Sequence, residues 1–84
     1  MKEVHKKIQP EFFEAVMLHD KNFEIRKDED NIEVGDHLIL EEYDPAVEHP
    51  GKRYTGRSCR RIVRYILRNA EKYGVKKGFI VIGF

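Results

Sequence analysis

The sequence predicts a mixed α+β domain, mainly β, with one or two helices beside the strands. Three observations carry that expectation. Five stretches are rich in strand-forming residues, and only Phe12–Met17 spaces its apolar residues clearly for a helix. The chain has 84 residues, room for one core and therefore a single domain over 1–84. At this size folding buries only about 60% of the unfolded surface, so connections inside the core must be short.

The elements follow in order. Met1 to Gln9 alternates loosely, with Val4 and Ile8 apolar among Lys2, Lys6 and Lys7, and reads as a first strand. Pro10 suits the first helical position, where a missing N–H leaves nothing unpaired. Glu11 and Glu14 complement the helix dipole, and Phe12, Phe13, Val16 and Met17 form a stripe expected to face the sheet. The helix is expected to stop near His19–Asp20. Lys21 to Lys27 reads as the second strand, and Asp28 to Asn31 is too polar to be anything but a solvated turn. Gly35-Asp36 makes another turn before the strand His37–Tyr43, with Leu38 and Leu40 on one face and Ile39 on the other. Asp44 to Arg53, with Pro45, Pro50 and Gly51, is a loop.

The stretch 57–68 is ambiguous, because Ile62, Val63, Ile66 and Leu67 also fit a helical stripe. Clustered β-branched and aromatic residues favour a strand, bent or bulged because it is long. Gly78 to Phe84 is apolar on both faces, as a central strand requires.

Composition narrows the function classes. The apolar fraction of 40%, with five Phe and four Tyr, supports a globular fold, and charged residues at 37% cover its outside. A single cysteine, Cys59, allows no internal disulfide and fits a reducing, cytoplasmic setting. No apolar run reaches the length of a membrane span, and no signal peptide is visible. His5, His19, His37 and His49 are scattered without ligand spacing, so no metal is expected. No glycine loop suited to cradling phosphates is present, and no cofactor is expected. Net charge is only +1, but it is unevenly placed. Residues 1–42 hold 6 Lys/Arg and 12 Asp/Glu (−6), whereas residues 43–84 hold 10 and 3 (+7). Such asymmetry marks either a basic face for an anionic partner or two halves that neutralise each other.

Lys21-x-x-Glu24-x-Arg26 is the most informative run. In a strand, Phe23 and Ile25 share one face and the two charges share the other. Spacing alone is most simply a surface ion pair. Together with the preceding short helix and the following Val34-Gly35-Asp36, the run resembles the signature of the ASCH family, within the PUA-like superfamily of small β-barrels. The likeness extends over nearly the whole chain. The run Phe23–Lys27 and the triplet Tyr54-Thr55-Gly56 are similar to a short bacterial and phage branch. One position departs: His19 stands where the family usually has a glycine, suited to a left-handed helix cap.

The resemblance implies a PUA-like barrel that binds RNA or a modified nucleotide. Lys21 and Arg26 would hold a phosphate or base carbonyl, and Glu24 would accept from an exocyclic amine. Arg60, Arg64 and Arg68 have one parity, so an unbroken strand displays them together; their guanidinium forks match phosphates, and Tyr54 could stack on a base. That face could equally be a solvated surface complementing the acidic half. Some small ASCH proteins resemble amidohydrolases acting on acylated cytidine through a Lys, a Thr nucleophile and a downstream Glu. Lys21 matches the first, but Glu24 occupies the Thr position, and the last third offers only Glu71. Lys21 and Glu24 are the catalytic candidates on that alternative, with binding the expected role. A protein-interaction module, dimeric through a strand edge, is the third class.

Overall fold

The computed structural model describes residues 1–84. Six strands and one α-helix run in the order β1 (Glu3–Ile8), α1 (Pro10–Met17), β2 (Phe23–Lys27), β3 (His37–Tyr43), β4 (Tyr54–Ile62), β5 (Tyr65–Leu67) and β6 (Phe79–Gly83). They form two three-stranded sheets, β1-β3-β4 and β2-β6-β5. β1 and β3 are parallel, and every other pair is antiparallel. The fold is therefore mainly β with one helix, and no continuous ladder closes it into a barrel.

The core lies between the sheets. Leu38, Leu40, Ile82 and Val63 fill it, with Phe13 and Val16 arriving from α1. β6 is the centre of its sheet, as its two apolar faces required. Of the helical stripe, only Phe13 and Val16 are buried, whereas Phe12 and Met17 remain exposed. α1 has only eight residues, and two of the four stripe residues reach the core. Ile39 is buried together with Leu38 and Leu40, so β3 is covered on both faces there.

The stretch 57–68 is not one strand. β4 ends at Ile62, and β5 begins at Tyr65 in the other sheet. Between them Val63 is anchored from both sides: its N–H donates to the Asp36 carbonyl (2.9 Å), and its carbonyl accepts from Gly35 (2.8 Å). The next amide, Arg64, donates to Gly83 of the second sheet (2.8 Å). The chain thus turns a corner between sheets. Arg60, Arg64 and Arg68 consequently do not share the single face that an unbroken strand would give them.

Asp36 fixes the start of the first sheet. Its buried carboxylate accepts from the backbone N–H of Glu33 (2.9 Å) and of Lys2 (3.2 Å). The Glu33 bond, chiefly, holds the Asp36 carboxyl below its ordinary range.

α1 ends at Met17, and His19 takes φ +62°, the left-handed conformation that glycine adopts freely. A side chain there is strained, so His19→Gly should stabilise the domain by about 0.5–1 kcal/mol, net of the greater freedom glycine gives the unfolded chain. A β-branched valine at 19 should destabilise it. Thermal melting of both variants tests the pair; a lower melting temperature for His19→Gly would show that the cap carries no strain.

Candidate functional site

The Lys21, Glu24 and Arg26 side chains meet at the open seam between the sheets. β2 carries its charges inward and its apolar residues outward. Glu24 is 4% exposed, whereas Phe23 and Ile25 are 46% and 54% exposed. Register explains the placement: Glu24 lies opposite Ile82 and Arg26 opposite Ile80, both inward residues of β6. The ion pair that spacing suggested for the surface therefore has a buried carboxylate and part-buried cations.

Each carboxylate oxygen of Glu24 has its own cation. Oε1 accepts from the Lys21 ammonium; Oε2 accepts from Arg26, whose Nε lies 2.8 Å away and Nη2 2.7 Å. Lys21 also donates to the Phe23 carbonyl (2.6 Å), and its ammonium lies 5.0 Å from the Phe23 ring and 5.7 Å from that of Phe12. Arg26 reaches across the seam to the Lys7 carbonyl (2.8 Å). That bond joins the end of β1 to β2, where no ladder does.

A cavity of about 410 Å³ opens over this trio. Its apolar lining is Ile8, Phe12, Phe23 and Ile25; its polar lining adds Lys7 and Gln9 to the trio. A second hollow of about 260 Å³ shares Lys7, Ile8, Gln9 and Arg26 and continues towards Tyr43. No serine, threonine or cysteine lines the larger cavity. A carboxylate has about four acceptor positions, so Glu24 keeps capacity beyond its two cations, and Arg26 keeps free N–H donors. The cavity thus offers apolar walls with donors and an acceptor at one end, a composition suited to a planar polar ligand.

The other candidates sit apart. Arg60 pairs with Glu3 (2.8 Å) and with the His37 ring, and its hydrogen bond is the main reason the Glu3 carboxyl is lowered. Arg68 holds Asp28 (2.7 Å) and the Ile32 carbonyl (2.7 Å). Arg64 is exposed and has no acidic partner. Tyr54 is exposed and packs edge-on against Tyr43, with centroids 5.0 Å apart. Charge asymmetry therefore resolves largely as neutralisation between the halves for Arg57, Arg60 and Arg68.

One buried carboxylate escaped the sequence reading. Glu42, 3% exposed, accepts two bonds from Arg57 (both 2.9 Å) and one from the Thr55 hydroxyl (2.6 Å). Arg57 also pairs with Glu14 (2.5 Å), and its guanidinium stacks 4.8 Å over the Phe13 ring. Chiefly the Arg57 bonds, then that of Thr55, hold the Glu42 carboxyl below its ordinary range; Glu42 in turn raises Arg57. The group ties β3 and β4 to α1. A signal for it was present, because Glu42 has the parity of Leu38 and Leu40, two inward residues. Cys59 is half-buried against the core, and burial pushes its thiol upward.

No helix is long and apolar enough to cross a membrane. Among curated proteins, none matches this chain. A family model described as "Domain of unknown function (DUF3850)" matches residues 4–84, and the chain belongs to that family.

Proposed function

We propose that this domain is a cytoplasmic, ASCH-type module that binds RNA or a nucleotide in the cavity over Lys21, Glu24 and Arg26. On this reading the two sheets are the halves of a PUA-like barrel, and the cavity is its open seam. The observation that carries the proposal is the inverted β2 strand: Glu24 and Arg26 are turned inward, joined by Lys21 just before the strand, beside a ligand-sized hollow that Phe12 and Phe23 also line. Burying charge is unfavourable unless it is paired, and pairing it costs the fold more than apolar packing would. Binding gives that arrangement a use. A base would lie against Phe12 or Phe23, its exocyclic amine donating to Glu24. Its carbonyl or phosphate would accept from Arg26 and Lys21.

Calorimetric titration with cytidine, N-acylated cytidine and the common nucleoside monophosphates tests this. Wild type should bind at least one of them, and Phe12→Ala, an exposed position that leaves the core intact, should weaken binding about tenfold. Gln9→Ala should weaken it less. No binding at millimolar ligand across the panel, or affinity unchanged in Phe12→Ala, would sink the proposal. Release of the acyl group during titration would move the protein to the amidohydrolase class.

A further inference from the structure

The outer face of the second sheet is as unusual as its inner one. Register places Phe23, Gly83 and Tyr65 in one row across the three strands, and Ile25, Val81 and Leu67 in the next. Lys27 stands opposite Phe79 in the third. These are the outward positions, because Glu24, Ile80 and Ile82 point into the core. Tyr65 is 65% exposed, and Phe23 and Ile25 are about half exposed. No acidic residue occupies an outward position on any of the three strands.

Cations gather at the Phe79 end of this face. Lys27 lies beside Phe79 by register, and the Lys76 ammonium sits 5.6 Å from the Phe79 ring. Lys77 follows in the same turn, whose Gly78 carbonyl accepts from the Asp28 amide directly after Lys27 (2.9 Å). Lys27, Lys76 and Lys77 are all exposed, and none has a carboxylate within 4 Å, unlike Arg57, Arg60 and Arg68. Phe23 and Tyr65 stand two strand spacings apart, about 10 Å. Gly83 between them leaves the floor free of a side chain.

We infer that this face is a platform for single-stranded nucleic acid. Bases stack on Phe23 and Tyr65, and the backbone crosses Ile25 and Val81 to reach the three lysines. Exposed aromatics on a sheet need unpaired bases, since a duplex keeps its ring faces stacked inside. Three uncompensated cations at one end supply the charge complementarity for phosphates. A second copy of this chain would bring no acidic residue on this face to meet those lysines. The platform shares Phe23 and Ile25 with the cavity but draws on none of Lys21, Glu24 or Arg26, so it stands whether or not the cavity holds a nucleotide.

Fluorescence anisotropy with labelled ten-nucleotide RNA, the matching DNA strand and the corresponding duplex tests the proposal. Wild type should bind the single strands and prefer them to duplex. The double variant Lys27→Glu/Lys76→Glu should weaken single-strand binding at least tenfold and reduce the logarithmic salt slope by about 2. Tyr65→Ala should weaken it about tenfold with less change in that slope. All three residues are exposed, and melting curves check that the variants remain folded. Mononucleotide binding should be unchanged in each. Absence of single-strand binding at low salt, preference for duplex, or affinity unaffected by these variants would overturn the platform. So would a dimer dispersed by Tyr65→Ala in place of nucleic-acid binding. If mononucleotides fail to bind while oligonucleotides depend on Lys27 and Tyr65, the cavity proposal falls and the platform stands.

Discussion

Replacing Glu24 with alanine is expected to destabilise the domain by about 3 kcal/mol, the usual result of removing one member of a buried charge group and leaving the others unpaired. Lys21 and Arg26 would then face one another across an empty site, both still largely shielded from water. For a domain of this size each kcal/mol corresponds to about 4–8 °C, so the melting temperature should fall by more than 10 °C. Glu24→Gln keeps the shape but not the charge and should behave similarly. Lys21→Met should cost only about 1 kcal/mol, because Arg26 still neutralises the carboxylate and the methionine stem can lie between Phe12 and Phe23. Urea unfolding of the three variants measures the differences. A loss below 1 kcal/mol for both Glu24 variants would mean that the trio is solvated, and the cavity would lose its defining chemistry.

Acid should unfold the protein through a few identifiable carboxylates. Glu42, Asp36 and Glu3 are each lower in the folded protein than their ordinary values of 4.5, 3.8 and 4.5. A carboxyl that is more acidic when folded adds stability that is fully present above its unfolded value and disappears as pH falls through the folded one. Stability should therefore be level near neutral pH and decline steadily below about 4.5. Glu42→Gln should be less stable than wild type at pH 7, with the gap narrowing as pH falls towards 3. Denaturant titrations at stepped pH read this directly. Parallel pH profiles for the two proteins would show that the Glu42–Arg57 bonds make no net contribution to folding.

Much of the local structure was legible because it rests on local chemistry. Pro10 opens α1, and His37–Tyr43 forms a strand with the limits its apolar pattern suggests. The 21–27 run is extended over Phe23–Lys27, with its charges on one face. What could not be read was decided by tertiary contact. The break at Val63 comes from backbone bonds to Gly35 and Asp36, distant in sequence. Which face of β2 turns inward was equally hidden, because a strand of alternating charge and hydrocarbon has the same pattern either way up. Glu42 was hidden by its neighbour: Glu41-Glu42 looks like solvated strand end, and only parity with Leu38 separates the two. The helical stripe was over-read because eight residues make too small a contact to cover four large side chains.

The bond from Arg26 to the Lys7 carbonyl has a dynamic consequence. Along the rest of each sheet, neighbouring strands are zipped by rows of amides that must break cooperatively. At the mouth of the cavity a lone side chain fastens β1 to β2 instead. Separating β1 from β2 at this point would require that one guanidinium release the Lys7 carbonyl, with no strand leaving its sheet. The doorway is latched by the same arginine that a guest would contact, and admission and recognition are thereby given to one residue.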